Sequence, residues 1–217
     1  MSANQVQSKS ITAVDLFSGC GGMSLGFENA GFKVLAAFDN WTPAVEVYRK
    51  NFDHPIFKHD LSDIDASVPL VREFAPTVIF GGPPCQDFST AGHQDENGGR
   101  AILSVAFAKK LGAQVRSQWF VMENVATIRN TRSFKRACDT FREAGYGLTC
   151  KVLNAAYCGV PQIRKRMFVI GGIGESDDFL GVALDKGLSE KPLTIRDYLG
   201  DSLGIDHYFR VPTNYSR

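Results

Sequence analysis

The sequence predicts an α/β protein built on a doubly wound, mostly parallel β-sheet. Short apolar segments alternate with helical segments over residues 11–174, and glycine-rich or acidic residues directly follow several of the apolar segments. This alternation is typical of β-α-β units, in which helices cover both faces of a parallel sheet. A chain of 217 residues has room for one such domain, or for one domain and the beginning of a second.

Four strands are predicted in the first part of the chain. They are residues 11–16, 32–38, 55–58 and 77–80. The first helix is expected to end at Ala30, because glycine at position 31 is typical of the residue just past a helix end. Thr42 is expected to cap the second helix, with Pro43 at the first helical position and an end near Asn51. A third helix is predicted over residues 66–74.

The second part continues the alternation and then loses it. The expected order is an exposed polar loop at 89–99, helix 101–115, strand 119–122, helix 133–143, strands 148–153 and 167–170, and helix 194–199. We therefore predict a disordered lead at 1–10, a catalytic and cofactor-binding domain at 11–174, and a linker with the start of a further region at 175–217.

Composition excludes several classes of protein. No apolar run approaches 18 residues, and the N-terminus lacks the apolar core of a secretory signal, so neither a membrane span nor a signal is predicted. The five cysteines form no CxxC pair and the four histidines are scattered, so no metal site is expected. An odd number of irregularly spaced cysteines suits reduced thiols in a cytoplasm. A net charge of +1 gives little of the basic excess that is typical of nucleic-acid binders.

A cofactor site is predicted where the first strands end. A glycine-rich turn follows the first strand, Asp39 ends the second strand where an acid can hold ribose hydroxyls, and Trp41 can stack on an adenine. Asp60 follows the third strand, although a loop or capping acid is an equally simple interpretation. Because the turn is not the pyrophosphate fingerprint G-x-G-x-x-G, the pattern favours S-adenosylmethionine over a nicotinamide cofactor. The candidate residues are Phe17, Ser18, Gly19, Gly21, Gly22, Asp39, Asn40, Trp41, Asp60, Leu61 and Pro83.

Cys85 is the candidate nucleophile. It follows a strand end and two prolines, which stop the strand and fix the backbone, and a polar loop comes next. A lone cysteine is more often a small buried residue, and the other four cysteines are interpreted in that way. Their positions are 20, 138, 150 and 158.

Two further segments carry candidate catalytic residues. Glu123 follows the strand at 119–122, where it is either catalytic or a helix-capping acid. Gln162, Arg164 and Arg166 would share one face if that segment were extended, although a run of charges is more often a solvated surface.

Together these segments resemble the cytosine carbon-5 DNA methyltransferase family. The matching segments are residues 15–22 (DLFSGCGG), 82–86 (GPPCQ) with Phe88 and Ser89, 123–125 (ENV) and 162–166 (QIRKR). They occur in the order and at the separations typical of that family. Asp87 departs from the pattern, since family members often have proline or alanine there.

The resemblance implies a fold and a mechanism. The fold would be the Rossmann-like fold of S-adenosylmethionine-dependent methyltransferases. Cys85 would attack carbon 6 of a flipped cytosine, Glu123 would bind N3, and Arg166 and Arg164 would hold O2 and position the nucleotide. Flipping the base costs a few kcal/mol. Gln86, Ser89, Arg100 and Gln162 are the candidate loop and DNA contacts.

The resemblance also implies partners. The family pattern continues with a target-recognition region and a last helix that are not found here. We therefore expect either a truncated chain or one subunit of a split enzyme that works with a second polypeptide. The expected substrate is double-stranded DNA in the cytoplasm of a bacterium with a restriction-modification system, and the product is S-adenosylhomocysteine. A transfer-RNA cytosine methyltransferase is the alternative enzyme. A non-catalytic subunit is disfavoured because Cys85, Glu123 and Arg166 are all present.

Overall fold

The computed structural model describes residues 10–84 and 114–200. The strands are β1 (Thr12–Leu16), β2 (Lys33–Asp39), β3 (Ile56–Lys58), β4 (Val78–Gly81), β5 (Trp119–Val125), β6 (Tyr146–Asn154) and β7 (Lys165–Ile173). The helices are α1 (Gly22–Asn29), α2 (Thr42–Asn51), α3 (Ile64–Glu73), α4 (Arg132–Glu143), α5 (Gly181–Lys186) and α6 (Ile195–Leu199). Short 3-10 helices lie at Ala126–Asn130 and Ala155–Tyr157.

The seven strands form one sheet in the order β3-β2-β1-β4-β5-β7-β6. All neighbours are parallel except those of β7, which runs antiparallel to both β5 and β6. The predicted doubly wound, mostly parallel sheet is therefore confirmed. The strand order reverses between β1 and β4, and in such sheets the crevice outside the carboxyl ends at the reversal is where ligands bind.

Helices cover the two faces of the sheet in separate groups. One core packs α3 and α4 against β1, β2, β4 and β5, and it includes the stacked rings of Phe120 and Phe141, 3.8 Å apart. On the other face α1 and α2 contribute to two smaller clusters, where Phe27 stacks on Phe80 at 3.8 Å. Burying these apolar surfaces holds the strand ends, and with them the site, in fixed positions.

Several predicted boundaries move by a few residues. Helix α2 begins at Thr42, so that Trp41 and not Thr42 is its cap residue, and the predicted capping role of Thr42 is wrong. Helix α3 begins at residue 64 because the Asp63 side chain accepts a hydrogen bond from the Ala66 amide. Helix α6 lies within the predicted range 194–199, and it begins with a capping box of Thr194 and Asp197 that was not predicted.

Other differences concern whole elements. Strands β6 and β7 are both longer than expected, because each pairs with its neighbour over nine residues. The short helix α5 was not predicted. The expected loop at 89–99 and most of the expected helix at 101–115 lie outside the described residues. Within the described ranges, no helix is long and apolar enough to cross a membrane, and no group of histidine, cysteine and acidic side chains could hold a metal ion.

Candidate active site

The turn between β1 and α1 has an unusual backbone. Phe17, Gly19 and Gly21 all have positive φ angles, of 60°, 54° and 93°. Such a conformation is uncommon for a residue with a side chain, and strain of this kind is found preferentially at functional sites. At Gly21 a Cβ atom would lie 2.2 Å from the Phe52 ring, so no other residue fits without movement. Gly19 and Gly21 of the predicted turn are therefore required by the backbone conformation, and Gly21 also by the close approach of Phe52.

Asp39 joins the end of β2 to this turn. Its Oδ2 accepts a hydrogen bond from the Gly19 amide and its Oδ1 accepts one from the Trp41 amide, both at 2.8 Å. Asn40 is exposed, and Trp41 is 63% exposed, so its indole face is open to a ligand. The contacts of Asp39 with a ribose and of Trp41 with an adenine stay predictions.

Asp60 has a structural role at the end of β3. Its Oδ1 accepts a hydrogen bond from the Ser62 amide at 2.9 Å, and this bond lowers the pKa of the Asp60 carboxyl. The Asp60 side chain is exposed, whereas Leu61 is buried, with 4% of its surface exposed. The turn contact gives Asp60 the structural role that the sequence had left as an alternative, and its ligand contact stays a prediction.

Asn124 fixes the chain where it leaves β4. Its side chain is 2% exposed, and its Nδ2 donates to the Pro83 carbonyl oxygen at 3.2 Å. Pro83 precedes Cys85 by two residues, so Asn124 holds the backbone that leads to the candidate nucleophile. Asn124 was not predicted to be a site residue, although the ENV motif contains it. The predicted site residues Cys85, Gln86, Ser89 and Arg100 lie outside the described residues.

Glu123 and Arg166 form an ion pair, with 3.0 Å between Glu123 Oε1 and Arg166 Nε. Both side chains are about one quarter exposed. Burial raises the pKa of Glu123, while the charges of Arg166 and Arg164 act in the opposite direction. Burial of a carboxyl disfavours its charged form, so this group is suited to hold a proton.

The segment before β7 is not extended, which is the condition under which its side chains would have shared one face. Strand β7 begins at Lys165, and residues 161–162 form a bend, so that Gln162, Arg164 and Arg166 do not form one strand face. The physical reason is a turn in which the Asn154 side chain accepts from the Arg164 amide at 3.1 Å. Gln162 is exposed, while the two arginines point into the cavity described next.

A cavity of about 690 Å³ brings the two halves of the site together. It lies between the β1–α1 turn and the end of β5. Its lining includes three of the predicted catalytic residues, Glu123, Arg164 and Arg166. It also includes three of the predicted cofactor-binding residues, Phe17, Ser18 and Gly22. Its other lining residues are Asp15, Met23, Gly82, Leu153, Ala155, Cys158, Val160 and Phe168. The remaining described candidates lie outside this lining. They are Gly19, Gly21, Asp39, Asn40, Trp41, Asp60, Leu61, Pro83 and Gln162.

Two buried polar atoms at this cavity have no partner among the described residues. They are Oδ1 of Asp15, whose residue is fully buried, and Oγ of Ser18. Burying a polar group without a hydrogen bond is costly, so each of these atoms can accept a hydrogen bond from water or from a ligand. Asp15 belongs to the DLF motif but was not predicted to be a site residue.

The four described cysteines differ from the expectation that all are packing residues. Only Cys138 is buried, whereas Cys20, Cys150 and Cys158 are exposed. The prediction is therefore wrong for these three. Cys158 lines the cavity, because it ends the 3-10 helix after β6.

Gly82 provides a test of the cavity geometry. A Cβ atom at this position would lie 3.2 Å from Glu123 Oε2. We expect Gly82→Ala to displace the Glu123 carboxylate and to weaken its pair with Arg166, with loss of activity and little loss of stability. A crystal structure of the variant with Glu123 unmoved would contradict this prediction. Gly187→Ala is the control, because its Cβ would make only ordinary van der Waals contacts of 3.5 Å or more.

The fold and the site define a class of protein, the Rossmann-like methyltransferases. The model of the C-5 cytosine-specific DNA methylase family matches residues 11–210, and the chain belongs to this family. It is 50% identical over 204 residues to the Type II methyltransferase M.HindV of Haemophilus influenzae, covering 94% of this chain and 67% of that protein. It is also 50% identical over 204 residues to the Type II methyltransferase M.HgiDI of Herpetosiphon aurantiacus, covering 94% of this chain and 66% of that protein.

Solved structures agree in fold. The Dnmt2 methyltransferase of S. pombe superposes with a TM-score of 0.72 at 20% identity, covering 88% of this chain and 59% of that chain. A prophage-encoded E. coli protein that carries the name of a DNA modification methyltransferase superposes with a TM-score of 0.69 at 27% identity, covering 88% of this chain and 54% of the other. The chain thus spans about two thirds of the length of these curated relatives and little more than half of these solved chains.

Proposed function

We propose that this chain is the catalytic part of a DNA cytosine-5 methyltransferase that uses S-adenosylmethionine. The observation that carries the proposal is the cavity in which the Glu123–Arg166 pair faces the strained β1–α1 turn. Family membership and relatives named Type II methyltransferases support duplex DNA as the substrate. A bacterial restriction-modification system in the cytoplasm is the proposed setting.

The residues of the turn fit the proposed cofactor. S-adenosylmethionine supplies an electrophilic methyl group on a cationic sulfonium, and it also carries an ammonium group, a carboxylate, a ribose and an adenine. The unpartnered Asp15 Oδ1 suits a cationic donor, and Ser18 Oγ suits a polar group. Asp39 and Trp41 would contact the ribose and adenine from the neighbouring strand end, while Asn40, Asp60, Leu61 and Pro83 would line or support that side.

Catalytic roles follow from the chemistry of each side chain. Cys85 would add its thiolate to carbon 6 of the cytosine, which makes carbon 5 nucleophilic. Glu123 would donate a proton to N3 as negative charge develops on the ring, and its raised pKa suits that role. Arg166, 3.0 Å from Glu123, would hold O2 of the same ring. Arg164, with Gln162, Gln86, Ser89 and Arg100, would contact the nucleotide or the DNA.

We propose that activity on DNA requires the additional third of the relatives' length, in the same chain or in a second polypeptide. An apolar groove of about 510 Å³ supports this proposal. It lies between α1 and the β4–β5–β7 face of the sheet, and its residues include Met23, Phe27, Trp119, Phe168 and Ile170. No described helix covers it. Exposed apolar surface of this kind favours association with a further segment.

Cofactor contacts can be tested by calorimetry with S-adenosylhomocysteine. Asp39→Ala removes the carboxylate that accepts from two amides, and hydrogen bonds to charged groups contribute about 1.5–3 kcal/mol. We expect roughly 10- to 100-fold weaker binding for this variant and a similar loss for Trp41→Ala through lost stacking. Tyr198→Ala, also an exposed aromatic residue (59%), is the control. Unchanged affinity in both site variants would exclude the proposed contacts.

Methyl transfer tests the function itself. The purified chain is incubated with tritiated S-adenosylmethionine and either duplex DNA or transfer RNA, with and without a polypeptide that supplies the rest of the relatives' length. We expect cofactor binding by the chain alone and sequence-specific incorporation into duplex DNA only after that addition, because sequence is read by contacts to base edges. Robust, specific methylation by the lone chain would contradict the need for a further segment. Incorporation into transfer RNA alone would overturn the choice of DNA.

A further inference from the structure

A chain of hydrogen bonds connects the cavity to the surface through α1 and α2. Asp15 Oδ2 is 2.6 Å from Ser24 Oγ, which is 2.6 Å from Tyr48 Oη. Tyr48 Oη is 2.5 Å from Nε2 of His54. On the other side of the imidazole, Nδ1 lies 3.2 Å from Glu28 Oε1, with side-chain exposures of 10% for His54 and 38% for Glu28.

The inner part of this chain is completely buried. Asp15, Ser24 and Tyr48 are all 0% exposed, so the three groups must satisfy one another. Each hydroxyl has one proton to donate, and the whole chain must therefore point in one direction or the other. The other oxygen of Asp15, Oδ1, has no hydrogen-bond partner among the described residues, and Asp15 is one of the residues that line the cavity.

Two arrangements of protons that keep Glu28 as a carboxylate satisfy every bond, and they contain the same number of protons. In the neutral arrangement the Asp15 carboxyl donates to Ser24, Ser24 donates to Tyr48, Tyr48 donates to Nε2 of His54, and Nδ1–H donates to Glu28. In the charged arrangement every bond from His54 inward is reversed. His54 is then an imidazolium that donates through both nitrogens, and Asp15 is a carboxylate that only accepts.

We propose that Ser24, Tyr48 and His54 form a proton relay that lets Asp15 become a carboxylate when a positively charged ligand enters the cavity, with its proton passed to His54 beside Glu28. One O–H bond breaks at Asp15 and one N–H bond forms at Nε2 of His54, while each hydroxyl between them gives up one proton and gains another. No proton is lost to solvent. The inference rests on the proposed cofactor, whose charge would favour the carboxylate.

The surrounding charges are consistent with the neutral arrangement before a ligand binds. Burial, together with the neighbouring Asp39 charge, raises the pKa of Asp15 to about 8, whereas the bond from Ser24 lowers it. Burial lowers the pKa of His54, against the opposite effect of Glu28 and Asp53. The other charged groups at the cavity are Glu123, Arg164 and Arg166. An added cation next to Asp15 stabilises its carboxylate and so reverses the chain.

The histidine signals give a direct test. Nitrogen-15 NMR near pH 7.5 can follow the His54 ring during titration with S-adenosylhomocysteine, which retains the cationic ammonium group. We expect the His54 ring to become protonated as the ligand binds. His59 serves as an internal control, because its Nε2 contacts Ser67 at 2.9 Å and lies outside the chain.

Tyr48→Phe removes the middle of the relay and keeps the ring that packs in the core. We expect this variant to release about one proton per bound ligand to solvent, measured calorimetrically in buffers of different ionisation enthalpy, where the wild type releases almost none. The affinity of this variant for S-adenosylhomocysteine should therefore increase by up to about tenfold for each unit by which the pH rises, up to pH 8. The wild-type affinity should change little over the same range. His54→Gln, which removes the imidazole that receives the proton, should behave in the same way, and Tyr198→Phe should behave as the wild type.

The outcomes separate the two proposals. Binding of S-adenosylhomocysteine without any change at His54 would overturn the relay and leave the proposed function standing. Equal proton release in wild type and Tyr48→Phe would do the same. Absence of binding at every pH would overturn both, because the proposed cofactor site would itself be wrong.

Discussion

Replacing Cys85 with serine is expected to abolish methyl transfer while leaving S-adenosylhomocysteine binding nearly unchanged. A serine hydroxyl is a far weaker nucleophile than a thiolate, and no group that would activate it is proposed at this position. Loss of a catalytic nucleophile has cost about 10⁶-fold in kcat where it has been measured, so residual activity should be below detection. The rate of tritium transfer to duplex DNA, in the presence of whatever completes the enzyme, measures the effect.

Cys158→Ser is the matched control for this experiment. Cys158 is an exposed thiol that lines the cavity, and it is therefore the described residue best placed to be mistaken for the nucleophile. A duplex containing 5-fluorocytosine traps the covalent adduct, because fluorine at carbon 5 cannot leave as a proton does. The adduct should form in the Cys158→Ser variant and be absent in the Cys85→Ser variant. The reverse result would move the nucleophile to Cys158.

The fold was predictable because its signals are local. Each of the first four strands ends in a glycine or an acid or is followed by one within three residues, and the alternation of strands and helices determines a parallel sheet almost by itself. The antiparallel position of β7 between β5 and β6 is a matter of long-range pairing, which no local pattern encodes. The error at Thr42 is a shift of one residue, since the helix begins at Thr42 with Trp41 as its cap residue and Pro43 at the second helical position.

The site was predictable only in part. Motif residues such as Glu123 and Arg166 were identified, and the structure brings them within 3.0 Å of each other. The supporting residues Asn124, Ser24 and Tyr48 were not identified, because their roles depend on burial and on contacts up to 41 residues apart in sequence. The extended interpretation of Gln162 failed for a similar reason. The side chain of Asn154, on another strand, accepts from the Arg164 amide there.

Glu123→Gln is expected to reduce methyl transfer by about 10²- to 10⁴-fold, the range typical for loss of a general acid or base. Glutamine keeps the shape of the side chain and can donate a hydrogen bond to N3 of cytosine. It cannot transfer a proton to N3 as charge develops on the ring, so binding of DNA should persist while the chemical step slows. Glu143→Gln, on the exposed face of α4, is the control.

The pH profile distinguishes this role from a structural one. Because burial raises the pKa of Glu123, its protonated form persists to higher pH than in an ordinary glutamate, and activity that depends on that proton is lost as the pH rises through the raised value. This decline of activity at high pH, the alkaline limb of the profile, should be absent in Glu123→Gln, whose side chain does not titrate. Arg166→Gln should raise the pKa of Glu123 further by removing the neighbouring charge, and so move the limb to higher pH. An unchanged limb in Glu123→Gln would assign it to another group and remove Glu123 from the proposed mechanism.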